Sequence, residues 1–507
     1  MSQKKEQFGS RWGFVAAALG MAIGTGNIWR FPREAAQNGG GPFLIAWTIA
    51  MLIWAVPVLS AELVMGKKIR LGTVGAFRDF VGKKYTWMGT WVGLVCVLIM
   101  CYYSVITGWC MKYFTLALMG TFKSGITTQT TQAIWDNFTA SPLQTIFFHA
   151  LAIGIAGYVV INGIKGGIEK ACKIMIPALF GLLVIAAIRA ITLPGAAAGL
   201  EFLFSPKWEM LKSSRVWVEA FTQASWSTGA GWGFMITYAV YMKEKEDIAG
   251  NALIIGVGDN MGALMAGLVV LPAVFALSPS LEVANQTALT GGTGLTFVFL
   301  AQLFGTMPGG GIIATFFFAA MTLAAMSSLF PMIEVGVLNL MDIFGWDRKK
   351  ATITTILFGF LAGIPSAYSM TFFGNQDNVT AYGLWISGMF IVFAMIKYGV
   401  EKVRNEEINT PWTDFNMGKW YTYATYVAPL VSAYLLYDTV KAMLGEANRW
   451  QVFGTDWSLG TVLFQFALYL LVGFLTMNYF NKKIGKGAYS VLDMGKGAAA
   501  GLEEGGK

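Results

Sequence analysis

Twelve stretches of this chain are each long and apolar enough to cross a lipid bilayer, and this repetition constrains the fold before any motif is read. A spanning helix needs about 20 mostly apolar residues, because the hydrocarbon core is about 30 Å thick. The candidate spans are residues 12–36, 41–66, 88–119, 143–162, 172–193, 216–241, 250–277, 312–341, 351–369, 379–398, 420–441 and 458–480. Composition agrees: 13% of residues are charged, where a soluble domain carries about 25%. The prediction is an all-α polytopic membrane protein with 12 transmembrane helices. Residues 295–306 are apolar but too short to cross, so a re-entrant or capping external loop is expected there.

The net charge of +8 raises a nucleic-acid reading, which the placement of the charge removes. With the N-terminus inside, 26 of the 36 lysines and arginines fall on the inner side. That bias is the positive-inside signal, so both termini are read as cytoplasmic, and the partner it implies is a lipid bilayer. The polar start of the chain lacks a cleavage site of signal-peptide type and is read as retained. The single histidine, His149, lies in an apolar segment, as do Cys96, Cys101, Cys110 and Cys172. Histidine-based catalysis, multi-histidine metal sites and a disulfide framework are therefore not expected. With no nucleophile–base pair visible, neither an enzyme nor an organic cofactor is anticipated.

Two of the spans are interrupted in the middle. The first reads Gly20-Met-Ala-Ile-Gly24-Thr-Gly26-Asn27-Ile-Trp-Arg30, and the sixth Trp226-Ser-Thr-Gly229-Ala-Gly231-Trp-Gly233. Each glycine costs a helix about 1 kcal/mol relative to alanine. Close helix packing through small residues is one reading. The positions favour another: the breaks open spans 1 and 6, so spans 1–5 and 6–10 form matching sets, and an odd number of spans inverts the second. An inverted 5+5 repeat with discontinuous helices 1 and 6 places a transporter site at the membrane midplane. There, unwound backbone is tolerated where it lines a cavity. The organisation expected is a tail (1–11), a first repeat (12–193), an extracellular loop (194–215), a second repeat (216–399), two further helices (420–480) and a tail (481–507).

The run Gly24-Thr-Gly-Asn-Ile-Trp-Arg-Phe-Pro32, followed by Asn38-Gly-Gly-Gly-Pro-Phe43, resembles the first-helix signature of the neurotransmitter:sodium symporter family, and most closely its prokaryotic members. The resemblance covers spans 1–10 and implies a leucine-transporter-like fold, sodium-coupled symport of an amino acid, and two sodium sites. It assigns the first sodium to the Ala22 carbonyl, Asn27, Ser227 and Asp259, and the second to the carbonyls of Gly20, Ile23 and Ala324 with Ser327 and Ser328. Sodium is a hard cation that takes oxygen ligands. The amides of Thr25 and Gly26 and the Tyr103 hydroxyl are implied to bind the substrate carboxylate, and the carbonyls of Ala22, Trp226 and Ser227 its amine. Gly24 stands where monoamine carriers have an aspartate, which favours an amino acid over an amine.

Met21, Ile99, Trp226, Gly229, Trp232, Ser328 and Met332 are implied to form the side-chain subsite. Trp232, shared with the family's glycine transporters, and Met332 favour a small neutral amino acid of glycine or alanine type, N-methylated forms included. A larger hydrophobic or aromatic substrate is the alternative, and an ion channel the alternative of another class. Asp259 stands where chloride-dependent relatives have asparagine. Trp47 and Ala263 replace two chloride contacts and Gln223 keeps one, so chloride-independent transport is expected.

The resemblance also implies gates. On the outside Arg30 is expected to pair with Asp377; on the inside Lys5 is expected to latch to Asp342, with Phe8 and Tyr241 packed around it. Glu62 is expected to brace the broken sixth span, and Glu334 to line the cytoplasmic exit. Short external loops without a cysteine pair fit a prokaryotic cell inner membrane. The oligomeric state and substrate identity are left open by the sequence.

Overall fold

The computed structural model describes residues 6–205, 207–289 and 294–488. All the regular structure among them is helical, and ten helices are long and apolar enough to cross a membrane. Their ends follow from local chemistry. Ser10, Asp247, Asp347, Ser369 and Ser458 each cap a helix by accepting a backbone N–H from the first turn, which satisfies a donor that has no partner inside the helix.

The two interrupted spans are not among the ten, because neither is a continuous long helix. The first runs as Arg11–Ala22, loses helical geometry at residues 23 and 24, and resumes as a π-helical turn Gly26–Arg30 and a helix Phe31–Gln37. The second runs as Ser214–Ser227 and resumes as Phe234–Ala239. The breaks differ in cause. Gly229, Gly231 and Gly233 have φ of +70°, +93° and +76°, a left-handed geometry that glycine adopts without a Cβ penalty. Gly24 instead provides room: a Cβ there would lie 2.9 Å from both Ser328 Oγ and Tyr103 Oη.

Around these breaks stand the most deeply buried helices, Gly41–Ile69, Lys83–Leu118, Ile248–Leu277, Gly310–Phe344 and Met370–Tyr398. Lys419–Gly445 and Leu459–Lys483 expose apolar side chains such as Leu430, Leu468 and Leu475 along their length. Glu62 bridges ring and break: Oε1 accepts from Gly231 N at 2.7 Å and Oε2 from Met235 N at 2.9 Å and Ile236 N at 3.4 Å. A buried carboxylate is sustained here by the N–H groups that the unwinding frees. His149 is a core residue, with Nε2 3.0 Å from the Phe360 carbonyl and its ring stacked on Phe360.

One span boundary departs from expectation, and two connecting segments carry helix of their own. The tenth span starts at Met370, not 379, because Ser369 ends one helix and caps the next with no linker. Asp377 is therefore helical. The loop 194–215 holds a helix, Ala196–Phe204, and a 3₁₀ turn, Trp208–Lys212. The apolar stretch before residue 306 is a π-helical turn Gly294–Leu300 joined to the short helix Ala301–Thr306, and its Phe297 packs on Trp29, Trp135 and Tyr113.

Candidate functional site

The two breaks face each other across one fully buried carboxylate. Asp259, on the helix Ile248–Leu277, accepts from Asn27 Nδ2 at 2.6 Å on Oδ1 and from Ser227 Oγ at 2.7 Å on Oδ2. Asn27 in turn accepts from Gly24 N at 3.0 Å on its Oδ1. One acid thus ties the break of the first span to the end of the helix Ser214–Ser227. Three of the four residues read as the first sodium site, Asn27, Ser227 and Asp259, are joined by direct bonds; Ala22 lies on the cavity wall beside them.

On the opposite side of the first break, Ser328 Oγ donates toward the carbonyls of Gly20 at 3.2 Å and Met21 at 3.1 Å. Ser327 Oγ donates to the Ala324 carbonyl at 3.1 Å, and a Cβ on Gly20 would sit 3.1 Å from the Ser327 Cβ. Ile23, the C-cap of the first half-helix, is fully buried. Carbonyl and hydroxyl oxygens of the two helices are thereby brought together, the donor chemistry a hard monovalent cation needs.

A cavity of about 630 Å³ opens from this junction. Its wall includes Met21, Gly24, Thr25, Gly26, Tyr103, Trp226, Ser227, Gly229, Trp232, Ser328 and Met332. Ile99 is fully buried but is not part of the wall; its side of the helix Lys83–Leu118 packs into the core. The Tyr103 hydroxyl accepts from Thr25 N at 3.2 Å. Trp226 and Trp232 meet edge-to-face at 5.4 Å, and Trp232 lies on Phe234 at 4.9 Å. Space at Gly229 is taken up by Met21, whose Cε would lie 2.9 Å from an added Cβ.

The model of the sodium:neurotransmitter symporter family matches residues 5–146 and 144–481. This chain belongs to that family. Among its relatives, an uncharacterized sodium-dependent transporter of Methanocaldococcus jannaschii is 30% identical over 470 residues, 89% of this chain and 94% of the relative. Another, YhdH of Bacillus subtilis, is 29% identical over 84% of this chain and 96% of its own. The crystal structure of MhsT in complex with L-phenylalanine superposes with a TM-score of 0.76 at 32% identity, covering 85% of this chain and 99% of MhsT. A multi-pass sodium-dependent transporter is the class these relationships establish, and transport rather than catalysis is the activity of the relatives.

In this symporter the surroundings of Arg30 differ from expectation. Arg30 does not pair with Asp377 in this conformation. Its Nη1 donates to Gln223 Oε1 at 2.6 Å, and its Nη2 lies 3.4 Å from Glu219 and 3.5 Å from Glu34. Asp377 lines the same cavity without a direct contact to Arg30. The reason is geometric: Gln223 and Glu219 lie one turn apart on the helix Ser214–Ser227, and both present oxygens within 3.5 Å of the guanidinium. Trp47 packs tilted against Phe31 with ring centroids 4.5 Å apart, and Ala263 is buried.

Of the expected inner latch of the symporter, Lys5 lies outside the described residues, and Asp342 accepts from Gly72 N at 2.7 Å. Phe8 is buried against Phe14 and Tyr238, and its N–H donates to the Tyr241 carbonyl at 3.1 Å. Sequence reasoning missed the pair beneath it. Arg348 donates to both oxygens of fully buried Glu334, at 2.7 and 3.1 Å, and Tyr241 Oη donates to the same carboxylate at 2.6 Å. It also missed Arg11, which reaches Asp414 at 2.6 Å and Asp247 at 3.4 Å. Both arginines read only as positive-inside charges.

Proposed function

We propose that this chain is a sodium-coupled symporter of a neutral amino acid, working by alternating access and without chloride. The observation that carries the reading is the Asn27–Asp259–Ser227 junction: a buried carboxylate with oxygen-bearing neighbours, where both interrupted helices meet the wall of one cavity. A fixed negative charge there supplies what a bound chloride would otherwise supply, and it favours a cation beside it.

In this reading twelve helices span the cell inner membrane, the ten continuous ones and the two broken ones, in an inverted 5+5 arrangement with both termini cytoplasmic. The first sodium sits among Ala22, Asn27, Ser227 and Asp259, next to the substrate carboxylate, and the second among Gly20, Ile23, Ala324, Ser327 and Ser328. Thr25, Gly26 and Tyr103 take the carboxylate; the carbonyls of Ala22, Trp226 and Ser227 take the amine. Because sodium and substrate share the first shell, each raises the other's affinity by the same factor.

A small neutral amino acid is the substrate proposed, since Met21 fills the space beside Gly229, and Trp232 and Met332 line the same cavity. A larger aromatic one is the second reading, favoured by the L-phenylalanine named in the MhsT complex. Uptake into proteoliposomes under an inward sodium gradient tests the whole: accumulation above the bath concentration, unchanged when gluconate replaces chloride, is expected. Equilibration without accumulation would mean a channel. Sodium-dependent binding across the twenty amino acids, sarcosine and betaine separates the two substrate readings.

A further inference from the structure

A second cavity, of about 420 Å³, adjoins the central one across the first turns of the helix Met370–Tyr398. Asn375 and Gln376 line the second cavity, Asp377 and Asn378 the central one. The walls differ in chemistry. The central cavity carries Arg30, Glu219 and Asp377. Among the described residues that line the second, none is charged, and its exposed rim is aromatic: Tyr368, Phe372, Phe453 and Phe464. The flanking helices Arg348–Tyr368 and Leu459–Lys483 lie at the periphery and expose apolar side chains such as Leu361 and Leu468, so the mouth opens beside lipid. Aromatic side chains exposed at that position mark the level of the membrane–water interface.

Inside the rim lie three linked side-chain amides. The Thr455 carbonyl accepts from Asn375 Nδ2 at 2.8 Å, and this one bond fixes the orientation of all three. Asn375 Oδ1 then faces two donors, Gln465 Nε2 at 2.7 Å and Gln376 Nε2 at 3.3 Å. Gln465 Oε1 is left to accept from Tyr469 Oη at 3.1 Å and Gln376 Nε2 at 3.3 Å. Gln376 Oε1 alone of the three amide oxygens accepts from no donor among the described residues, and Gln376 lines the cavity. A ligand matching this wall brings an apolar body and one O–H or N–H donor. Ligand pockets of about 300–1,000 Å³ have this makeup, apolar walls with a few placed polar groups. An ion or a zwitterion would meet no opposite charge here, and an unpaired charge is costly to bury.

We propose that this cavity binds an uncharged, hydroxyl-bearing lipid of monoacylglycerol type, drawn from the surrounding leaflet. Its hydroxyl donates to Gln376 Oε1, and its acyl chain lies over the aromatic rim of Phe372 and Phe464. The occupant ties the helical turn that carries Asp377 and Asn378 to the helix Leu459–Lys483. The site does not depend on which solute the central cavity takes.

The test uses the full chain in nanodiscs and a monoacylglycerol with a photoreactive diazirine in its acyl chain, close to the ester. Crosslinked peptides are mapped by mass spectrometry. Labelling concentrated in residues 365–376 and 452–465 is expected; labelling spread evenly over the apolar surface overturns the proposal. Unlabelled monoacylglycerol competes. The methyl ester of the same chain, which has no donor, and the fatty-acid anion compete about two- to tenfold less well, the range one hydrogen bond supports. Equal competition by either overturns the ligand class. Glycerol monoacetate, a water-soluble counterpart, does not compete; if it does as well as the long chain, the occupant is a free solute and the lipid assignment fails. Gln376→Leu lowers labelling by the same factor and abolishes the preference over the methyl ester. A preference that survives in Gln376→Leu shows that Gln376 does not read the hydroxyl. Should that variant not fold, Thr371→Trp decides, because it narrows the mouth from an exposed position: labelling at these segments falls, and unchanged labelling overturns the site.

Discussion

Asn27 Nδ2 lies 2.6 Å from Asp259 Oδ1, so the break in the first span is bonded to an acid that comes from another helix 232 residues away in sequence. Asn27 belongs to a π-helical turn, and its side chain accepts the Gly24 N–H that the unwinding frees. The carboxylate thus organises the backbone as well as the charge of the junction. Asp259→Asn keeps the shape and removes the charge. Sodium affinity, read from the sodium dependence of binding, is expected to fall by more than about tenfold, since one close charge in a buried site outweighs several neutral ligands. An unchanged sodium dependence would place the ion elsewhere.

Glu62 supports the second break in a different way. Its two oxygens accept three backbone N–H groups from residues 231–236. Glu62→Gln turns one acceptor into a donor facing a donor, and leaving a buried donor unsatisfied costs about 1–3 kcal/mol. A lowered Tm of the purified protein is expected, with faster amide exchange at Gly231 and Met235. Exchange at these amides as slow as in the parent would show that another acceptor holds the break.

How much of this was legible in the chain depends on whether the signal was local. The two breaks were readable because their glycines cluster in mid-span, and Asp259 and Glu62 because a charge in an apolar run has few explanations. The partners of Arg30 were not. Glu219, Gln223 and Ser227 form a visible i, i+4, i+8 series, but which face of a helix turns inward is decided by packing against Arg30, 189 residues earlier. Arg348 and Arg11 were hidden for a related reason: at a helix end, an arginine bound to Glu334 or Asp414 has the same sequence appearance as one that only marks the inner side. Ile99 shows the converse, since its helix lines the cavity through Tyr103 while Ile99 itself faces the core.

The clamp of Arg11 on Asp414 gives a pH dependence of known sign. The hydrogen bond and charge of Arg11 hold the Asp414 carboxyl below its usual range, so the stabilisation exists above the ordinary aspartate value of about 4 and is lost as pH falls through the lowered one. Glu246 nearby runs the other way: burial raises its carboxyl, so its contribution is present at low pH and is lost as pH rises through that raised value. The Tm difference between the parent and Asp414→Asn is therefore expected to be flat from about pH 5 to 8 and to vanish in stronger acid. A difference that grows on acidification would mean the clamp acts through another group.

Gly24 tests whether the first break is set by space or by flexibility. Its Cβ would meet Ser328 Oγ and Tyr103 Oη at 2.9 Å, closer than real Cβ contacts. The two atoms bond the two flanks of the break, Ser328 to the Gly20 and Met21 carbonyls before it and Tyr103 to Thr25 N after it. Gly24→Ala must therefore push apart the groups that hold the break and, in the symport reading, the substrate carboxylate. Sodium-dependent amino-acid binding is expected to weaken by at least about tenfold, the equivalent of ~1.4 kcal/mol. Gly166→Ala, where nothing lies within 4 Å of the added Cβ, is expected to leave binding unchanged. If both variants bind as the parent does, the junction is soft enough to yield a methyl group's width, and the rigid geometry argued for Asn27 and Asp259 fails with it.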